Sequence, residues 1–187
     1  IGAQPLGTLG REAETREFVR AYSALPKLPF RSVPGADDPV TLRYLPTDNG
    51  TYFYLVSMAW QPVTAAPSPA PAGAVDLSTG EEAVFPVTLK PFEIKSFLVP
   101  GEVKFTGLAV TVPAEFEAFY RQRIASLDAT ADALEKLGID CGAERGTLAA
   151  MKAAESGKRY AELHRLAFSR AMNQLGGKHR NLENLSI

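Results

Sequence analysis

Few residues in this chain are of types that make nucleophiles, bases or metal ligands, so their spacing decides what chemistry is open to it. The two histidines, His164 and His179, stand alone. A metal site needs several ligands within reach, and no His-x-x-x-His, His-Glu-x-x-His or Cys-x-x-Cys occurs. Each is therefore expected to be an ordinary helix histidine. The single cysteine, Cys141, lies among Gly138, Gly142 and Gly146 with no histidine beside it. It reads as a small buried thiol rather than a nucleophile, and one cysteine closes no internal disulfide. No Gly-x-Ser-x-Gly, Walker loop or dinucleotide glycine fingerprint is present. Neither a metal nor a cofactor is implied.

Carboxylate pairs are the remaining catalytic candidates, because glycoside hydrolysis uses two acids held roughly 5 to 10 Å apart across a cleft. Glu81 and Glu82 are adjacent after a turn, and Glu115 and Glu117 open a helix. Neighbouring strand residues point to opposite faces, and acids in a first helical turn already complement the dipole. No catalytic pair is assigned. Tyr52, Tyr54 and Trp60 form a different constellation, since aromatic rings stack on the apolar faces of sugars. The competing reading puts the tyrosines in a core with their hydroxyls at its edge, and it is preferred because they lie in the most continuously apolar strand. Asn49-Gly-Thr51 and Asn184-Leu-Ser186 match glycosylation sequons. The first is already explained by a turn.

The elements that must carry these residues follow from composition and period. The 187 residues, 45% hydrophobic and 22% charged, suit one domain or two small ones with a real core. A net charge of -1 supplies no broad basic field for nucleic acid or an anionic membrane. No apolar run approaches the roughly 20 residues of a membrane span. The first residue is not Met, which suggests a processed chain or a piece of a longer one. All 14 prolines lie at or before Pro113, and the stretch beyond has fourteen alanines, so the chain is expected to change class there.

Three regions result: an N-terminal helix and linker over 1–35, an antiparallel β-sandwich over 36–112 and an α-helical hairpin over 113–187. Arg11 to Leu25 has Phe18, Tyr22 and Leu25 at helical spacing, with Pro26 to stop it. Val40, Leu42 and Tyr44 alternate with polar residues, Asp48-Asn49-Gly50 supplies a turn, and Thr51 to Met58 is apolar on both faces. That predicts a hairpin whose second strand is covered on both sides. Pro67 to Gly73 reads as a stiff surface loop. Strand signals resume over Ala74–Leu77, Val84–Leu89 and Phe92–Val99. A bulge at Gly107 would bring Val103, Phe105, Leu108, Val110 and Val112 to one buried face. After Pro113, an amphipathic helix of about 25 residues carries Phe116, Tyr120, Ile124, Leu127, Ala131, Leu134 and Leu137. A second helix is expected from Thr147 to Gly176-Gly177, weakened at Ser156-Gly157. The fold class is α+β: a sandwich preceded by a short helix and followed by an antiparallel helix pair.

Gly50-Thr-Tyr-Phe-Tyr-Leu-Val-Ser57, Asp76-Leu-Ser-Thr-Gly-Glu81 and Leu89-Lys-Pro-Phe-Glu-Ile-Lys-Ser-Phe97 together resemble the small antiparallel β-domain that follows the catalytic barrel in many glycoside hydrolases. Arg16-Glu-Phe-Val-Arg-Ala-Tyr22, with Pro26 and Pro29-Phe30, is similar to a last barrel helix leading into such a domain. The resemblance spans about residues 11 to 100. Met58-Ala-Trp60 departs from the usual Asn-Pro, and the helical tail lies outside the pattern. The resemblance implies a non-catalytic accessory region, with the catalytic carboxylates on an upstream barrel of the parent chain as its partner. It also implies a periplasmic or extracellular setting if the parent is secreted. Two alternatives are a carbohydrate-binding module using Tyr52, Tyr54 and Trp60, and a protein-interaction module using the helix pair.

Overall fold

A computed structural model describes residues 12–185, and all of their side chains except those of 14 and 179–185. The fold is α+β, with two antiparallel sheets, a short helix first and helices at the C-terminus. It divides into two compact units between Thr111 and Val112.

The first unit is organised by a hairpin. Strand β2 (Val40–Thr47) pairs with β3 (Gly50–Ser57), joined by Asp48 and Asn49, with Thr47 opposite Gly50. Gly50 has φ +122°, and a Cβ there would lie 2.5 Å from the Val99 carbonyl oxygen, so only glycine fits. With β1 (Arg31–Ser32), β5 (Val75–Asp76) and β7 (Ile94–Val99), these strands form a sheet in the order β1-β2-β3-β7-β5. The second sheet has the order β6-β4-β8, from β4 (Val63–Ser68), β6 (Val87–Leu89) and β8 (Gly107–Thr111).

Between them lies an aromatic core centred on the fully buried Phe53. Its ring is 4.9 Å from those of Phe97 and Phe105 and 5.9 Å from that of Phe85. Val40, Leu42, Leu55, Val63, Ala65 and Leu89 complete the fill. Across the pleat, Tyr54 and Val56 occupy the other face of β3, where Ala21 of helix α1 (Glu12–Ser23) and Leu25 just beyond its end pack against them. The first unit therefore has three layers, and β3 is covered on both sides as its composition predicts.

Two sequence expectations change in this unit. Pro67 belongs to β4 instead of opening a loop: β6 pairs only with Val63–Ala65, so at Pro67 the strand has a neighbour on one side alone, β8. A proline is tolerated where its missing N–H has no partner to lose. The alternation of Val63, Ala65 and Pro67 was too weakly apolar to signal a strand. At Gly107 the phase does change, but where β8 begins and not inside a strand reaching back to Val103. The Thr106 N–H donates to the Ser68 carbonyl at 2.8 Å, while the pairing sets Gly107 opposite Ser68. Phe105 and Val112 are buried, but Val103, Leu108 and Val110 are half-buried, so the expected five-residue buried face is only partly formed.

The second unit holds four helices in place of a hairpin of two. Helix α2 (Ala114–Lys136) buries Tyr120, Ile124, Leu127, Ala131 and Leu134, one stripe at helical spacing. Helix α3 (Gly142–Ser156) runs antiparallel to it: Arg145 reaches Asp128 and Glu135, Lys152 reaches Asp128, and Glu155 reaches Arg121. The expected continuation breaks at Gly157 and Lys158, whose φ of 54° leaves helical geometry. Helices α4 (Tyr160–Ala167) and α5 (Arg170–Leu185) follow. Helix α5 passes through Gly176 and Gly177, where a stop was expected. The buried Met172 and Leu175 tie it to the bundle, and packing outweighs the cost of roughly 1 kcal/mol per helical glycine.

Two substitutions test this account. Phe53→Ala should cost about 3–5 kcal/mol, the usual penalty for emptying an aromatic core site. Gly50→Ala should cost about 1–3 kcal/mol through a conformation closed to L side chains. Urea unfolding of each variant against wild type measures both, and an unchanged midpoint for Gly50→Ala would contradict the tight approach to Val99.

Candidate functional site

The candidate aromatics have different neighbours. Tyr52 and Tyr54 share the face of β3 opposite Phe53 and are half-buried, so neither belongs to the core between the sheets. Tyr54 instead meets Phe30 edge-on, with ring centres 5.2 Å apart, beneath the end of α1. Trp60 is exposed and packs edge-on against Phe92 at 4.8 Å. The pleat thus sets Tyr52 and Tyr54 side by side, while the ring that Trp60 meets is Phe92.

Tyr54 contributes to a different feature. Where α1 ends, Pro26 and Pro29 turn the chain back across the sheet, and a cleft of about 820 Å³ opens. Tyr22, Leu25, Phe30 and Tyr54 line it with apolar and aromatic surface, and Lys27 and Arg43 supply positive charge. No described carboxylate lines it. Arg43 stands directly across from Tyr54 in the β2–β3 register. One of its guanidinium nitrogens contacts the exposed Asp37 carboxylate at 3.2 Å. Burial raises the Tyr54 hydroxyl above its ordinary value, with Arg43 opposing and Tyr22 reinforcing, so the phenol stays protonated. Sequence reasoning missed Arg43, Lys27, Tyr22 and Phe30 as site residues. The hairpin register that joins Arg43 to Tyr54 was the available signal.

The carboxylate candidates have other roles or stand apart. Glu81 and Glu82 are exposed just after a turn, with Glu82 bridged to Val75. Glu117 accepts a 2.7 Å hydrogen bond from the Tyr160 hydroxyl and a 3.2 Å one from Arg121, while Glu115 is exposed. Among the described residues no cluster of histidine, cysteine and acidic side chains is able to hold a metal ion. Cys141 is buried just before α3, and burial raises its thiol pKa, which opposes thiolate formation. The side chain of His179 and residue Ser186 of the second sequon lie outside the described residues. In the first sequon, the Thr51 hydroxyl donates to the Gly101 carbonyl at 2.9 Å and accepts from the Val103 N–H at 2.8 Å.

His164 is joined to Tyr120 by a 2.7 Å hydrogen bond through Nδ1 and packs against Phe168 with ring centres 4.6 Å apart. Burial lowers its pKa, and the nearby Arg123 lowers it further. Burial also pushes the Tyr120 hydroxyl up to about 12, so both partners stay neutral near pH 7. Among the described residues, no helix is long and apolar enough to cross a membrane. Compared with protein-family models, curated proteins and solved structures, the chain matches none.

The histidine yields a pH prediction with a definite sign. Its folded pKa lies below the unfolded value near 6.5, so the unfolded chain binds more protons as acid is added. Stability of the helical unit should be full above pH 6.5 and fall as the pH drops below it, before the carboxylates titrate. His164→Gln should flatten that segment of the profile. An equal slope between pH 7 and 5.5 in both proteins, followed by thermal unfolding, would contradict the assignment.

Proposed function

We propose that this chain is a non-catalytic accessory region of a carbohydrate-active enzyme, carried next to a catalytic barrel in the parent protein. The observation that carries this reading is the layer order of the first unit. A helix is laid against the outer face of a sheet whose other face forms a sandwich, and that helix also presents Phe18 and Val19 outward, each about half exposed. A helix apolar on two sides suits a position between two bodies. The carboxylate pairs add nothing catalytic to this reading, since Glu117 is committed to Tyr160 and Arg121. The resemblance of the strand motifs to the β-domains of glycoside hydrolases supplies the class of parent.

Two measurements test it. An antibody to this chain should recover from its native cells a protein heavier by a whole catalytic domain, and a species of the chain's own mass would overturn the reading. The chain alone should turn over no member of an aryl-glycoside panel faster than buffer. Turnover abolished by Glu115→Ala or Glu117→Ala would make it an enzyme instead.

A further inference from the structure

The cleft at the end of α1 joins three features that no single structural duty explains. Its rings are presented without filling it: Tyr22 is 62% exposed, and Tyr54 is held edge-on by Phe30. Its charge is of one sign, from Lys27 and Arg43 with no described acid in the lining. Its volume, about 820 Å³, falls within the roughly 300–1,000 Å³ of ligand pockets.

We propose that this cleft binds an oligosaccharide bearing carboxylate groups, with Tyr22 and Tyr54 against sugar faces and Arg43 and Lys27 on the carboxylate. The C–H face of a pyranose ring is apolar and matches an aromatic ring, while its hydroxyls need the edge donors that a protonated tyrosine supplies. Arginine's planar fork matches a carboxylate with two parallel hydrogen bonds. A guanidinium carries five N–H donors, and the single 3.2 Å contact to Asp37 leaves others for a ligand. A neutral glycan would leave Lys27 unanswered and Arg43 with the exposed Asp37 alone, and a purely apolar partner would desolvate both cations. The choice of a sugar over other anions rests on the accessory reading. The charge and ring chemistry do not.

The experiment is an amide chemical-shift titration of the full chain with trigalacturonate, a glucuronic-acid-bearing xylo-oligosaccharide and an alginate trimer, with galactotriose and benzoate as controls. At least one acidic sugar should give saturable shifts at Tyr22, Arg43 and Tyr54, with galactotriose weaker by about tenfold or more. Arg43→Gln should erase that preference. Tyr22→Ala, at an exposed site, should weaken acidic and neutral sugars alike, and Asp37→Asn should strengthen the acids by removing a competing carboxylate. If Arg43→Gln does not fold, Lys27→Gln and Asp37→Asn carry the charge test. Absence of saturable shifts with all three acids, equal affinity for galactotriose, or binding of benzoate alone would overturn the proposal. Failure of the accessory reading would show separately, as glycoside turnover, which this titration does not measure.

Discussion

Strand Gly50–Ser57 has no face it can leave to water, and much of the first unit answers that constraint. Phe53 and Leu55 on one side call for a second sheet, and Tyr54 and Val56 on the other call for a lid. Helix Glu12–Ser23 is that lid. It contributes Ala21 to the strand's outer face, the connector after it adds Leu25, and Ile94 and Leu77 lie around them. Short of the sheet's full width, the helix stops before Pro26, and the returning chain leaves the cleft between Tyr22 and Tyr54. The candidate site is thus what remains uncovered when a short helix closes a wider sheet.

The helical unit solves its own problem by charge placed along a seam. Arg145 binds Asp128 at 2.7 Å and Glu135 at 2.6 Å, and it also binds Asp132, so three acids one or two turns apart on α2 converge on one guanidinium. Its hydrogen bonds to Glu135 and Asp132 raise the Arg145 pKa, and its bond to Glu135 holds that carboxylate below the ordinary range. For Asp128 the larger cause is the hydrogen bond from Lys152. These groups are partly exposed, so the network sets the register of α3 on α2 more than it adds stability. Closer to the interior, the nearly buried Glu144 is met by Lys178 at 2.6 Å, which ties α5 to the start of α3.

Much of this architecture was legible from the residues because local signals agreed with the global result. The Asp48-Asn49-Gly50 turn, the two-sided apolar strand and the proline boundary each named an element. The misses share one physical origin, tertiary context. Gly176 and Gly177 stay helical because Leu175 and Met172 are buried, while Gly157 ends a helix of similar composition. Strand Val63–Ser68 was obscured because alanine and proline carry its buried phase. The site was less legible than the fold. Tyr54 was named, but its partners come from a helix end, a proline-bent connector and a neighbouring strand, and of these the hairpin register brings in Arg43 alone while tertiary packing brings in the others.

Pro67 has a bearing on how the molecule meets other strands. The Ser68 carbonyl accepts from the Thr106 N–H and so faces β8, which turns the Pro67 nitrogen toward the side that β6 has vacated. A strand arriving at that open edge finds a nitrogen with no hydrogen to give, and Pro69 and Pro71 follow at once. The same residue that hid the strand from a sequence reading also closes the one stretch of β4 where a foreign ladder would otherwise take hold.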